Sequence, residues 1–294
     1  MEITTHRIDS PLGRWTHTEG RSASLAGLVE SIGLFEGTTV FPRERVFPNG
    51  KLELIVHLGE RYREVTAAGT EICPAVCLTG LQRGPLVVEA PPGPCRVLGV
   101  RLHPAGAYAL LARPLSEVSG LTVDFQDLVG SAAAELAELC QAAGSAEECL
   151  RRTARWISER VRRPPGGSQP VASVDQWVGW SAGQIERSGG AVPIGLLRER
   201  TGLSKSRLAE AFRERIGVAP KLYARIVRFR RVLARLRETA GSPLVGLALD
   251  AGYYDQPHMN AEFRELSGFA PRELLAAVLY PRSISVAETS SRAG

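Results

Sequence analysis

Hydrophobic residues alternate with polar ones in the first third of this chain and recur at helical spacing through most of the rest. Leu52, Leu54, Val56 and Leu58 are interleaved with Glu53, Ile55 and His57, which predicts a strand with one more deeply buried face. Pro48-Asn49-Gly50 ahead of it signals a tight turn, because Asn-Gly tolerates positive φ. Residues 76–81, 86–89 and 97–102 predict further strands, separated by Pro/Gly turns such as Pro91-Pro92-Gly93-Pro94. Many short strands with such turns predict a sandwich or a small barrel.

After His103-Pro104 the period becomes helical. Residues 105–112, 132–143 and 146–161 predict helices; in the last, Cys149, Leu150, Ala154 and Ile157 supply the apolar side. These helices close the core of the β-domain or, for the last two, form a dimer seam. Residues 162–170 (RRPPGGSQP) neither continue a helix nor need a core, so the domain boundary is placed there. Residues 171–187 predict a helix with Val174, Trp177, Val178, Ser181 and Ile185 on one face, stopped at Ser188-Gly189-Gly190.

The chain is organised around one predicted helix, Pro220–Glu238. Leu222, Ile226, Phe229, Leu233 and Leu236 make its apolar stripe, and Arg225, Arg228, Arg231 and Arg235 fall largely on the other side. Each end meets a copy of the same small unit. Residues 194–212 (IGLLRERTGLSKSRLAEAF) and 244–263 (LVGLALDAGYYDQPHMNAEF) each predict a short helix, a turn at glycine (Gly202, Gly252) and a second helix ending in Phe (Phe212, Phe263). That is helix-turn-helix grammar. A helix of about 20 residues is about 30 Å long, and major-groove faces on one side of B-DNA recur about every 34 Å. The central helix therefore has about the length needed to hold two readers in neighbouring grooves.

Charge agrees with that reading without deciding it. The chain carries a net +5. From position 170 onward 18 Lys+Arg meet 12 Asp+Glu, whereas the rest of the chain has 18 against 19. All the basic excess lies in the C-terminal part, as in a nucleic-acid footprint; an Arg-rich solvated surface gives the same count. The five cysteines (Cys73, Cys77, Cys95, Cys140, Cys149) are odd in number and form no paired framework, which predicts a reducing cytoplasm. The N-terminus has no apolar core of signal-peptide length, and no run of about 18 apolar residues predicts a membrane span.

In the first unit Ser204 is placed to N-cap the second helix. Leu208 and Phe212 point inward, leaving Lys205, Ser206, Arg207, Ala209, Glu210 and Arg213 for DNA. In the second unit Asp255 is the N-cap and Pro257 suits the first turn. Met259, Phe263 and Leu266 point inward; Gln256, Asn260 and Arg264 face out, with Pro257 and His258 at the edge. Amides and cations on such a helix suit base edges and phosphates. Gln and Asn pair bidentately with adenine, and Arg213 and Arg264 at the far ends suit phosphate.

These residues carry a resemblance. The stretch 194–275 is similar to the double helix-turn-helix domain of AraC-type transcriptional regulators, through Gly202-Leu203-Ser204, Leu208, Phe212, Gly217, Pro220 and Tyr223. In the second copy it rests on Leu244, Leu247, Ala248, residues 251–256 (AGYYDQ), His258-Met259, Phe263, Gly268 and Pro271. The first copy departs at Arg198, where the family has a small residue and the second copy keeps Ala248. The resemblance also points to Arg228, in a structural or phosphate-binding role. The N-terminal part resembles the sensor half of one branch of these regulators, through the segment 47–50 (FPNG), with Asn49 in place of the usual aspartate, and through 100–104 (VRLHP). The resemblance implies a cupin-like or related β-domain for ligand sensing or dimerisation. It also implies double-stranded DNA as partner, a small-molecule effector at the N-terminal domain, a homodimer, and RNA polymerase in the case of an activator.

Other chemistries fit less well. Cys73 and Cys77 are three residues apart, and Cys95, His57 and His103 complete no ligand spacing typical of zinc, so no metal or cofactor is expected. A methyl-accepting DNA-repair enzyme would need a zinc-held cysteine. No Gly-x-Ser-x-Gly elbow or phosphate loop frames any of the five histidines, His6, His17, His57, His103 and His258, so no catalytic residue is assigned. His57 suits a cavity wall or a satisfied core position, and Trp15, Trp177 and Trp180 suit core or half-buried positions. The expected fold class is multidomain α+β: an N-terminal β-sandwich/cupin-like domain with accessory helices (1–163), a linker (164–170), an all-α, homeodomain-like double helix-turn-helix domain (171–281) and a flexible tail (282–294).

Overall fold

The computed structural model describes residues 1–162, 172–238, 244–276 and 285–287. Its strands are β1 (Glu2–Ser10), β2 (Gly13–Arg21), β3 (Val29–Thr39), β4 (Arg43–Val46), β5 (Leu52–His57), β6 (Arg63–Thr66), β7 (Gly69–Ile72), β8 (Val76–Thr79), β9 (Leu86–Glu89), β10 (Cys95–Leu102), β11 (Thr122–Asp124) and β12 (Ser285–Ala287). Four helices follow or interrupt the first eleven: α1 (Pro104–Leu111), α2 (Phe125–Val129), α3 (Ala132–Gln141) and α4 (Ala146–Arg162). The C-terminal region holds α5 (Ala172–Arg187), α6 (Ile194–Thr201), α7 (Lys205–Ile216), α8 (Pro220–Glu238), α9 (Leu244–Asp250), α10 (Gln256–Ser267) and α11 (Pro271–Ala276).

The strands form two antiparallel sheets, a larger one ordered β1-β2-β3-β10-β5-β8-β11 and a smaller one ordered β12-β4-β9-β6-β7. In the larger sheet Leu98 stands beside Leu34 and Val56, and Val100 beside Ile32 and Leu54. All are buried against α1, α3 and α4, through Leu110, Leu136, Cys149, Leu150 and Ile157. The apolar sides of α3 and α4 thus close the β-domain core. The other face of this sheet, with Glu53, Ile55, Val97 and Arg101, turns toward the smaller sheet and leaves a cavity of about 220 Å³.

In the C-terminal region α8 is more deeply buried than one stripe predicts. Tyr223, Ala224, Ile226, Val227, Phe229, Val232, Leu233 and Leu236 are all buried, while Leu222 is only half-buried. A helix apolar on most sides sits inside its domain, and α5, α7, α10 and α11 pack around this one. The two regions share a core. Phe47 and Leu81 of the β-domain join the hydrophobic cluster of the helices. The Phe47 ring meets Phe229 of α8 edge-on at 6.0 Å and Phe269, after α10, at 6.5 Å.

Three expectations change. Trp177 is 39% exposed, because Val178, Ser181 and Ile185 form the buried line of α5 and position 177 lies to its side. Arg225 and Arg228 do not lie on a solvated face, as described below. Within the stretch expected to be a flexible tail, Ser285–Ala287 pairs antiparallel with β4, since an extended segment can satisfy the open edge of a sheet. The expected linker lies outside the described residues. No described helix is long and apolar enough to cross a membrane.

Candidate nucleic-acid interface

Both small units have the local geometry their sequences predict. In the first, α6 ends at Gly202 (φ +69°), a left-handed conformation that glycine adopts without a steric cost. The Ser204 side chain then caps α7 by accepting from the Arg207 N–H at 3.2 Å. In the second, the turn falls at Gly252 (φ +80°), and the Asp255 carboxylate caps α10 by accepting from the His258 N–H at 2.8 Å. Each cap satisfies a helix-end donor. Leu208, Ala211 and Phe212 of α7 face inward, as do Met259, Phe263 and Leu266 of α10.

The outward residues divide by exposure. On α7, Lys205, Ser206, Arg207, Glu210 and Arg213 are exposed and Ala209 is half-buried. On α10, Pro257, His258 and Arg264 are exposed, whereas Gln256 and Asn260 are half-buried. The Asn260 Oδ1 is buried and has no hydrogen-bond partner among the described residues. Sequence reasoning missed Tyr254, which stands 87% exposed just before the N-cap of α10. Only its place between a buried Tyr253 and the cap marks it. Arg198 is exposed, while Ala248 at the corresponding place in the second unit is fully buried; the larger side chain is accommodated by pointing away from the packing.

Arg228 does not stand ready for phosphate. Its Nε and Nη2 donate to Glu262 at 3.2 and 3.0 Å, and its guanidinium stacks 4.5 Å from the Tyr253 ring centre. Glu262, on α10, has only 2% of its side chain exposed. It also accepts from Arg225 Nε at 2.9 Å and from the Tyr253 hydroxyl at 2.7 Å. Burial opposes its ionisation, but the hydrogen bonds from Arg228 and Tyr253 and the charge of Arg228 hold its carboxyl below the usual value. Burial and the neighbouring Glu262 charge push the Tyr253 hydroxyl well up. Arg225 reaches on to Glu265, and Tyr253 meets the His258 ring edge-on at 5.4 Å. These contacts support the structural role for Arg228. The signal for Glu262 was available: positions 259, 262, 263 and 266 share one helix face, and the one carboxylate on it needed a partner.

Most outward residues of the reading helices stay exposed, and the β-domain touches the segment after α10, where Phe47 and Arg45 meet Phe269, and the far end of α7. There the Arg215 guanidinium lies 3.9 Å over the Tyr108 ring of α1. The cysteines sit elsewhere. All five are buried free thiols. Burial pushes Cys73 up to about 11, Cys77 further and Cys95 upward, which keeps these three as neutral thiols rather than nucleophiles. His57 lines the cavity, its Nδ1 bonded to the Pro74 carbonyl at 3.1 Å, and burial lowers its pKa. Among the described residues no cluster of three or more His, Cys, Asp or Glu side chains is placed to hold a metal ion.

Two capped helix-turn-helix units at the ends of one helix define the class: a helix-turn-helix DNA-binding protein. Residues 197–277 match the family described as a helix-turn-helix domain, and this domain is of the AraC type. Residues 22–124 match a domain of unknown function, DUF6597. The chain thus carries an AraC-type DNA-binding domain. A search of the curated proteins finds no match. Among solved structures, the chain is similar to ToxT from Vibrio cholerae at 10% identity, over 83% of this chain and 97% of that one, with a TM-score of 0.43. ToxT from strain SCE256 with an unsaturated fatty acid bound is similar at 9% identity, over 85% and 95%, with a TM-score of 0.42. The AraC-like transcriptional activator CuxR is similar at 11% identity, over 85% and 91%, with a TM-score of 0.30.

Proposed function

We infer that this chain is an AraC-type transcription regulator that reads a bipartite, asymmetric DNA site by placing α7 and α10 in successive major grooves on one face of the duplex. The observation that carries this is the pairing of two capped reading helices on one helix, α8, of 19 residues, each with an exposed polar side. Lys205, Ser206, Arg207, Ala209, Glu210 and Arg213 face DNA from the first unit. Gln256, Pro257, His258, Asn260 and Arg264 do so from the second, with Tyr254 added. Arg213 and Arg264 hold phosphate, which makes binding salt-dependent. Residues 171–281 do the reading. Residues 1–163 carry the cavity and receive a small-molecule signal in the cytoplasm, 164–170 link the two parts, and Ser285–Ala287 contributes an edge strand. A single chain spans both half-sites, so homodimer formation and contact with RNA polymerase act on regulation rather than on recognition.

The test is a selection from random duplexes with the full chain at near-physiological salt. The expected result is a motif with two half-sites about 10 base pairs apart. A motif from one half alone removes base reading from one unit, and no enrichment removes the sequence-specific reading altogether.

A further inference from the structure

The Pro-Asn-Gly turn of the β-domain touches both the cavity and the helix that carries the readers. Val46, Phe47, Asn49, Lys51 and Glu53 line the cavity. On its other side the same short segment lies on α8. Phe47 is 1% exposed and packs on Phe229, and Phe229 in turn lies 4.7 Å from Phe263 of α10. Three rings thus run from the cavity wall to the second reading helix. Gly50 has φ +72°, and a Cβ there would stand 3.5–3.7 Å from Tyr223, Arg230 and Ile226, all on α8. Lys51, with 5% of its side chain exposed, meets His103 Nδ1 at 2.9 Å, Glu30 at 3.7 Å and Glu186 of α5 at 3.8 Å. Glu186 accepts from the Tyr223 hydroxyl of α8 at 2.7 Å.

The turn is also internally stiff. The Asn49 Oδ1 accepts from the Lys51 N–H at 2.9 Å, and its amide donates to Glu53 at 3.0 Å. Glu53 is held by Arg101 at 3.2 Å. An aspartate at 49 would set two carboxylates against each other, so the asparagine is matched to Glu53.

We propose that the segment from Phe47 to Lys51 transmits the state of the cavity to α8, and through Phe229 and Phe263 to the setting of α10. What moves one wall of the cavity moves the turn as a stiff body, and packed cores pass on such shifts because they have no slack. The inference rests on the regulator reading above and adds the route by which the signal travels.

The experiment is a double-mutant cycle on the full chain, read as the Kd for its selected duplex. Val88→Trp fills the cavity from the smaller sheet, away from α8. In the wild-type background it is expected to change Kd about fivefold or more. In a Phe47→Leu background, which keeps the core apolar but breaks the ring chain, the same change is expected to be under about twofold. Equal shifts in both backgrounds, or no shift in the wild type, overturn the route. If either variant fails to fold by circular dichroism, Val88→Phe replaces the first and Phe47→Met the second, with the same criteria. Wild-type chain with no sequence-specific binding defeats the regulator reading itself, a result distinct from specific binding without coupling.

Discussion

The two helix-turn-helix units share a plan and are fastened in different ways. In the first, the place corresponding to Glu262 is Ala211, and the inward side of α7 is apolar throughout: Leu208, Ala211, Phe212 and Ile216. Its far end leans on the β-domain through Arg215 and Tyr108. In the second, α10 carries a buried carboxylate clamped by two arginines of α8 and by Tyr253 in its own turn. Apolar packing fills space but is not directional. A multiply hydrogen-bonded carboxylate has one good geometry, because its donors are fixed in a fork. The second reader is thus set at one rotation relative to α8 and moves with it, whereas the first has an apolar seat and leans also on α1.

The largest expected effect comes from breaking the clamp. Glu262→Ala leaves the part-buried Arg228 guanidinium and the buried Tyr253 hydroxyl without this acceptor and takes one of the two carboxylates of Arg225, which costs on the order of 3–5 kcal/mol. It should lower the denaturation midpoint and expose α9 and α10 to hydrogen exchange before α6 and α7. Equal protection loss in both units would contradict the idea that the clamp is local. Leu208→Ala is the matching break in the first unit. Leu208 is 1% exposed, and loss of a buried leucine costs about 2–5 kcal/mol, depending on collapse around the cavity. Here exchange should rise in α6 and α7 first.

Acid sharpens the comparison with a smaller effect. The Glu262 carboxyl is held below its ordinary value, which in an unfolded chain is about 4.3. Its contribution is fully present above that pH and is lost as pH falls through the folded value. The first unit has no such group at Ala211. Urea melts from pH 6 to pH 3 should therefore show the stability gap between the wild type and Glu262→Gln closing below about pH 4. A gap that stays constant would mean the carboxylate adds nothing through its charge.

What was legible in the sequence is local. Pro220–Glu238 ends where its pattern ends, both N-caps accept the hydrogen bonds that Ser204 and Asp255 predict, and the glycine turns have positive φ. Each of these depends on residues within a few positions of one another. What escaped is the pairing of distant residues. Arg228 and Glu262 are 34 positions apart, so no spacing within α8 names the partner of its arginines. Phe47 looked like part of a β-turn, yet it completes a core more than 180 positions away. The strand at Ser285–Ala287 is decided by an open sheet edge, which no periodicity in the tail reports.

The smallest effect concerns the departure that seemed to threaten the first unit. Arg198 occupies the place of a small residue, and a buried arginine there would have wedged α6 from α7. The side chain is exposed instead, so its charge stays in water. Arg198→Ala should then change stability by less than about 0.5 kcal/mol, as for most surface substitutions, and leave the motif selected by the full chain unaltered. The reciprocal change separates the units. Ala248 is fully buried, and Ala248→Arg must either bury a charge or push α9 off α10, a cost above about 3 kcal/mol. Thermal melts of both variants decide it. Similar losses would mean that Arg198 is strained after all, and that the first unit's geometry depends on the β-domain to hold it in place.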